Sequence, residues 1–157
     1  MSRRTQPFES RFWPKVDKSG ECWLWTGATT AGYGYTTLNG KQVGVHRVAY
    51  EKFIGPIPDG YSIDHICHVR NCLYPAHLRA VTNKQNSENR QGARSDSKSG
   101  VQGVSWSARK KKWRVVVTNS GIRSHGGDYE SLAEAEAAAI ALRNELFTHN
   151  DADRMAS

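Results

Sequence analysis

The sequence predicts an α+β protein of two small parts joined by a linker. Three observations carry this prediction. Short β-type runs with turn signals occupy residues 22–45; residues 91–100 contain no large apolar side chain; and three more β-type runs precede an alanine-rich stretch. We expect a first domain at 1–90, a linker at 91–100, a second domain at 101–149 and a tail at 150–157. Because 157 residues shared by two parts give small cores, a metal or a partner must add stability.

The first part reads as hairpins, a helix and a further strand pair. Phe12 and Trp13 form an apolar anchor, and the Asn39-Gly40 dipeptide between β-type runs predicts a hairpin. HRVAYEKFI (46–54) predicts a short helix, broken by the Gly and Pro residues of 55–60. YSIDHI then predicts a strand, and residues 75–82 predict the beginning of a second arm. Residues 83–90 predict a polar helix. The expected apolar face of the 46–54 helix comprises Val48, Ala49, Phe53 and Ile54.

The second part predicts three strands followed by a helix. The strands are VQGVSW, KWRVVVT and IRSHGGDY, and Ser131 with Glu134 forms a capping box that opens the helix. Alternation in KWRVVVT assigns Trp113 to the helix side and Arg114 to the opposite side. From His149 onwards we expect a frayed tail. The expected apolar face of the helix comprises Ala133, Ala137, Ala138, Ile140, Ala141, Leu142 and Leu146.

The charge composition favours a polyanionic partner. Lys and Arg number 22 against 15 Asp and Glu, and this excess suits a nucleic acid because cationic side chains release its condensed counterions. No apolar run approaches the ~20 residues of a membrane span, and no signal-peptide core is visible, so we expect no membrane partner and a cytoplasmic location. Three cysteines would leave one outside any disulfide framework. With one histidine, however, they complete a tetrahedral zinc shell.

Residues 64–90, DHICHVRNCLYPAHLRAVTNKQNSENR, hold the densest set of chemically active side chains. Asp64-His65 closes a β-type run, and Asn86 lies on the predicted polar helix. A histidine of near-neutral pKa can act as a general base, and carboxylate or amide oxygens suit Mg²⁺. Taken singly, the Asp-His pair also fits a polar loop. His46, Arg47 and Arg90 fit a phosphate contact or a solvated charge equally well.

This segment resembles the HNH endonucleases of the ββα-metal (His-Me finger) fold, and among them the His-Cys box homing endonucleases and phage HNH proteins. The resemblance implies that His65 is the general base and that Asp64 and Asn86 hold a catalytic Mg²⁺, for which Mn²⁺ could substitute. Related phage sequences usually read C-x-N-P-x-H-L, whereas Tyr74 stands here in place of the Asn. The base and metal positions are unaffected by that departure.

The His-Cys box resemblance also implies a structural zinc. There, C-x4-C-x4-H and one upstream cysteine bind the ion; in this chain the spacing is met by Cys67, Cys72 and His77, with Cys22 as the upstream member. A closed Cys3His shell leaves no open position, so this zinc would tie the early hairpins to the catalytic loop. Buried free thiols are the alternative for these cysteines. The ordinary HNH pattern also has an Asn or His at the His77 position.

The second part resembles the plant Apetala/ethylene-response-factor DNA-binding domain through Gly103-Val104, Trp113, Gly127, Tyr129 and the alanine-rich helix. Residues 91–125 contain eight Lys and Arg residues and one acidic residue, Asp96, whereas residues 126–157 contain seven acidic residues. We therefore expect a basic sheet that contacts double-stranded DNA, backed by an acidic helix. The alternative to DNA contact is that the basic segment RKKKWR is a turn that only aids solubility. The expected DNA contacts are Arg109, Lys111, Lys112, Arg114, Thr118, Arg123 and His125.

Together these features predict a Mg²⁺-dependent DNA endonuclease, of the free-standing homing type found in phages. A restriction or phage-packaging nuclease is the alternative within the enzyme class. A DNA-binding regulator with a decayed nuclease site is the alternative outside it, and a zinc-stapled scaffold would explain the cysteines alone. The sequence does not decide between a monomer, which should nick, and a homodimer, which could cut both strands.

Overall fold

A computed structural model describes residues 7–155. The chain divides into two compact units, Met1–Thr82 and Asn83–Ser157. The division falls eight residues before the predicted end of the first domain at residue 90. The predicted linker 91–100 thus belongs to the second unit, and so does the polar helix that precedes it.

The first unit consists of short elements. Helix α1 (Phe8–Phe12) is followed by a 3-10 turn, and β1 (Val16–Asp17) pairs with β2 (Leu24–Trp25). Strands β3 (Thr29–Thr30), β4 (Tyr33–Leu38) and β5 (Lys41–Gly44) form an antiparallel sheet in the order β3-β4-β5. Helix α2 (Val45–Phe53) leads to an antiparallel pair, β6 (Ser62–His65) and β7 (Leu78–Val81). The hairpin predicted at Asn39-Gly40 is confirmed, because both residues adopt the positive φ that a two-residue type I′ turn requires.

An aromatic core holds these short elements together. The predicted anchor Phe12 is 1% exposed, and its ring centroid lies 5.0 Å from that of Trp25. The apolar face predicted for α2 is wrong at its C-terminal end, because Phe53 and Ile54 are 47% and 48% exposed. The phenyl ring of Phe53 packs at the surface, edge-on against two tryptophans. The buried residues of this core are Phe12, Trp25, Val45, Ala49, Ile63, Leu73 and Leu78.

The second unit opens with α3 (Asn83–Glu88) and contains the three predicted strands. These are β8 (Val104–Ser107), β9 (Lys112–Asn119) and β10 (Ile122–Tyr129), in the antiparallel order β10-β9-β8. Helix α4 (Leu132–Leu146) begins with the predicted capping box, in which the Ser131 hydroxyl accepts from the Glu134 N–H. The three-strands-and-a-helix prediction is confirmed for this unit.

One face of the sheet packs on α4. Val115 is fully buried and Val117 nearly so, as the alternation of β9 predicted. The predicted helix face is confirmed at Ala138 and Leu142, which pack against this core, and is wrong at Ala133, Ala137 and Ala141, which are exposed. The sheet instead covers Ala135 and Ala139, which lie four residues apart on one side of the helix.

The predicted frayed tail is also wrong within the described residues. Helix α5 (Asp151–Met155) follows α4, and Asn150 between them is 2% exposed. The Arg143 guanidinium pairs with both Asp153 carboxylate oxygens, at 2.6 and 2.9 Å, and also donates to the Gln102 carbonyl. This buried ion pair fixes α5 against α4. Among residues 7–155, no helix is long and apolar enough to cross a membrane.

Candidate active site and metal centre

The β6–β7 pair sets the positions of Asp64 and His65. In its register Asp64 faces Arg79 and His65 faces Leu78. Side chains alternate along a strand, so Asp64 and His65 leave opposite faces of the pair. Asp64 is 9% and His65 5% exposed. Two polar side chains buried at the end of a four-residue strand require specific partners, and both have them.

The imidazole of His65 is oriented by the loop that follows it. Its Nε2 lies 3.2 Å from the Cys72 carbonyl oxygen. Because a carbonyl can only accept, Nε2 carries the proton and donates it, which leaves the Nδ1 lone pair of the neutral ring able to take a proton. Burial lowers the pKa of His65, against the opposing effects of the Cys72 carbonyl and Asp64. A neutral histidine with one free lone pair is the form that a general base needs.

Arg79 holds the carboxylate of Asp64. Its Nε and one terminal nitrogen both donate to Asp64 Oδ2, at 3.0 and 2.9 Å. Sequence reasoning did not single out Arg79. The hairpin register could have indicated it, since an Arg directly across an antiparallel pair from an Asp forms a favourable cross-strand pair. A carboxylate fixed in this way resembles the hydrogen-bonded acidic ligands that are usual around metal ions.

The four predicted zinc ligands converge on one point. The Sγ atoms of Cys22, Cys67 and Cys72 and a ring nitrogen of His77 all lie within 4.8 Å of one another. His77 Nδ1 lies 3.6 Å from the sulfurs of both Cys22 and Cys72. Zn–S and Zn–N bonds of ordinary length in a tetrahedron separate S from N by about 3.6 Å. The donor set and its spacing therefore fit a closed tetrahedral zinc site.

Without a bound cation, the surroundings of the cluster disfavour thiolates. Burial and, to a smaller extent, the neighbouring cysteines raise the pKa of the Cys72 thiol to about 12, whereas the Tyr74 N–H, 3.4 Å from the sulfur, opposes this shift. A metal ion supplies the positive charge that a thiolate needs there. The ring of Tyr74, the residue that departs from the phage pattern, packs edge-on against His77, with centroids 4.9 Å apart.

Asn86 lies on α3 in the second unit and is exposed. Its helix is fastened within that unit through Glu88, which is 4% exposed. Glu88 Oε2 accepts from the backbone and hydroxyl of Thr148, at 3.0 and 2.9 Å, and from the His149 N–H at 3.2 Å. The chain order β6, β7, α3 is the ββα order that the resemblance implies.

The second unit has a cavity of about 690 Å³, whose lining combines residues of the sheet face opposite α4 with Arg143 and Phe147 from the C-terminal end of α4. Of the predicted DNA contacts, Arg114, Thr118 and Arg123 line it. Arg90 and Arg94 also line it, although sequence reasoning treated the first as an open alternative and placed the second in a linker. The remaining predicted contacts, Arg109, Lys111, Lys112 and His125, do not line the cavity.

Acidic residues partly neutralise one end of this face. Asp128 accepts from Lys110 at 2.5 Å and from Arg114 at 3.0 Å, and Lys112 lies 3.4 Å from Glu130. Among the described residues, no carboxylate lies within ion-pair distance of Arg90 or Arg123. Arg90 and Arg123 are therefore cations of the cavity wall without an ion-pair partner among the described residues, whereas Arg94, also on the wall, pairs with Asp96 at 3.2 Å.

Comparison with known families assigns the class of the protein. A family model described as HNH endonuclease matches residues 43–88, from the end of β5 to the end of α3. This segment contains Asp64, His65, Asn86 and three of the four clustered metal ligands. Protein 3.8 of Escherichia phage T7 is 39% identical over 103 residues, which cover 64% of this chain and 82% of that protein. The chain belongs to the HNH endonuclease family.

Two other phage relatives share shorter segments. Protein 7.7 of Escherichia phage T7 is 44% identical over 69 residues, or 43% of this chain, and the chain spans about half of that protein (53%). The "uncharacterized gene 5.3 protein" of Enterobacteria phage T3 is 53% identical over 36 residues, which cover 23% of this chain and 36% of that protein. No solved structure matches the chain.

Proposed function

We propose that this protein is a Mg²⁺-dependent DNA endonuclease in which His65 is the general base. The observation that carries the proposal is the hydrogen bond from His65 Nε2 to the Cys72 carbonyl, since it fixes the ring and leaves Nδ1 to accept a proton. The HNH match over residues 43–88 supplies the reaction class. The bond between the base and a zinc-ligand residue gives the proposed zinc a second effect, because the ion would immobilise the loop that orients His65.

The reaction is hydrolysis of a phosphodiester bond. A water molecule attacks the scissile phosphorus while His65 Nδ1 takes its proton. The P–O3′ bond breaks to give a 5′-phosphate and a 3′-oxyanion, which takes a proton from solvent water to become the 3′-hydroxyl. Asp64, oriented by Arg79, and Asn86 would hold Mg²⁺, with Mn²⁺ as a substitute. When bound, this ion neutralises charge on the phosphate and stabilises the departing oxygen.

We assign DNA recognition to the second unit. Four arginines, Arg90, Arg94, Arg114 and Arg123, line the cavity, and Arg90 and Arg123 have no carboxylate within ion-pair distance among the described residues. Guanidinium groups bind phosphates and guanine edges in bidentate geometry, so this surface suits double-stranded DNA. A separate recognition unit beside an HNH domain favours a free-standing phage endonuclease of the homing type. It would act in the cytoplasm of the host cell.

A cleavage assay tests the proposal. Zinc-loaded protein is incubated with supercoiled plasmid and with bacterial genomic DNA, with and without Mg²⁺, beside His65→Ala and the control His149→Ala. We expect Mg²⁺-dependent cutting by the wild type and the control, and a rate loss of about 10²–10⁴ for His65→Ala with DNA binding retained. Near-normal cutting by His65→Ala would remove the base assignment. Salt-sensitive DNA binding without any cutting would instead indicate a regulator.

A further inference from the structure

A second histidine lies beside the candidate base. His46 is near the beginning of α2, directly after Gly44 and Val45. Its ring covers the α-carbon of Gly44, where an added Cβ would come within 2.7 Å of His46 Cε1. Any larger residue at position 44 would therefore displace the imidazole. The backbone at the β5–α2 junction thus leaves room for this one side chain.

The His46 ring belongs to a cluster of three rings. Its centroid lies 5.1 Å from that of His65 and 5.9 Å from that of Tyr33, and Tyr33 lies 6.0 Å from His65. The Arg70 guanidinium stacks on Tyr33 at 5.4 Å and donates to the Ala31 carbonyl, which fixes the outer side of the cluster. The ring of His46 therefore packs directly against the ring of His65, and no hydrogen bond joins the two.

Packing alone does not explain a histidine at this position. His46 Nδ1 is buried and has no hydrogen-bond partner among residues 7–155, so a phenyl ring would fill the space without burying that nitrogen. Burial, with smaller contributions from His65 and Arg47, lowers the pKa of His46 to about 4, so the ring is neutral near pH 7. A buried N–H without an acceptor is rarer than a buried lone pair. We therefore assign the proton to Nε2, the only donor this ring then has.

We propose that His46 is a second catalytic residue, which donates a hydrogen bond from Nε2 to a non-bridging oxygen of the scissile phosphate. The proposal rests on the proposed endonuclease function. It explains why a nitrogen-bearing ring lies against the base: the donor meets the phosphate whose attacking water His65 deprotonates. A neutral donor stabilises the charge that develops on the phosphate, and being already oriented it loses little on reaction.

Three substitutions separate a donor from a packing ring. His46→Phe keeps an aromatic ring and removes the donor, His46→Gln keeps a donor without the ring, and His46→Ala removes both. We expect His46→Phe to lose about 10²-fold in single-turnover rate at saturating DNA, the usual effect of removing one such donor. DNA affinity measured with Ca²⁺ in place of Mg²⁺ should stay within about twofold of wild type. His46→Gln should be faster than His46→Phe, and His149→Ala should match the wild type.

A sulfur substitution in the DNA reports the contact directly. At a mapped cleavage site, each non-bridging oxygen of the scissile phosphate is replaced by sulfur, a poor hydrogen-bond acceptor. One of the two diastereomers should slow the wild type and lose that effect in His46→Phe, even if this variant is partly unfolded. A rate for His46→Phe within threefold of wild type, or a sulfur effect unchanged in this variant, overturns the proposal while the endonuclease function stands. A wild type that cuts no DNA overturns both.

Discussion

The two units of this protein bury different kinds of side chain. Residues 7–82 contain strands of two to six residues around an aromatic core, and all three cysteines lie in this part of the chain. The second unit has two eight-residue strands, a 15-residue helix and a buried Arg143–Asp153 pair. Short elements supply few backbone hydrogen bonds and little apolar area, so the first unit needs a cross-link where the second does not. Their stabilities should therefore respond to different treatments.

Removing a metal ligand should have the largest effect, and only in the first unit. His77→Ala leaves three ligands, and we expect near-complete loss of bound zinc and of the cooperative fold of residues 7–82. Structural zinc contributes about 10–16 kcal/mol in zinc-finger peptides, as much as the whole stability of a small domain. Elemental analysis and hydrogen exchange resolved by peptide measure both quantities, with His149→Ala as the control. Zinc retained at one ion per chain in His77→Ala would contradict the proposed ligand set.

The reverse experiment breaks the second unit and spares the first. Arg143→Met leaves the Asp153 carboxylate, 16% exposed, without its bidentate partner. Removing one partner of a buried ion pair costs about 3–5 kcal/mol, so the second unit should lose most of its free energy of unfolding. Zinc content should be unchanged. Chemical unfolding followed by peptide-resolved exchange measures the loss, and exposed Arg109→Met is the matched control. An equal loss of protection in residues 7–82 would show that the two units do not unfold independently.

Some parts of this architecture follow from local sequence, and others do not. The Asn39-Gly40 hairpin and the Ser131–Glu134 capping box were predicted correctly, since each depends on residues within a few positions of one another. The buried face of α4 was predicted correctly only in part, at Ala138 and Leu142. Alanines lie on every side of that helix, at six of its 15 positions, so only docking on the sheet selects Ala135 and Ala139 over the exposed Ala137.

The candidate site divides in the same way. The resemblance to the His-Cys box, with its x4 spacings, singled out Cys67, Cys72 and His77, and the short loop that carries them does bring their donor atoms together. Arg79 escaped notice because its partner is set by strand register, and the environment of His46 depends on the chain returning to β6 after α2. Neither contact is set by residues that are close to each other in the chain, so no local pattern indicates it.

Acid should weaken the second unit through Glu88. Burial raises the pKa of this carboxyl, but hydrogen bonds from Lys84, Thr148 and the His149 backbone outweigh it, so the folded pKa lies below the ordinary 4.5. The stabilisation is therefore complete above about pH 4.5 and is lost as the pH falls through the folded pKa. Glu88→Gln should cost about 1–3 kcal/mol at neutral pH and should flatten this part of the acid dependence. Unfolding free energies measured between pH 3 and 7 test this prediction. If the unfolding free energy of Glu88→Gln depended on pH as steeply as that of the wild type, a group other than Glu88 would be responsible.

The smallest effect we predict separates the two ends of the basic sheet face. Arg123 lines the cavity without a carboxylate in ion-pair distance among the described residues, whereas Lys110 is already paired with Asp128 at 2.5 Å. Each phosphate contact contributes about 0.9 to the slope of log affinity against log salt. Arg123→Ala should therefore lower the slope by about 0.9, and Lys110→Ala by less. Fluorescence anisotropy in Ca²⁺ at several salt concentrations measures both, and His77→Ala should keep the wild-type slope. If His77→Ala lowered the slope and Arg123→Ala did not, DNA binding would have to be assigned to the first unit.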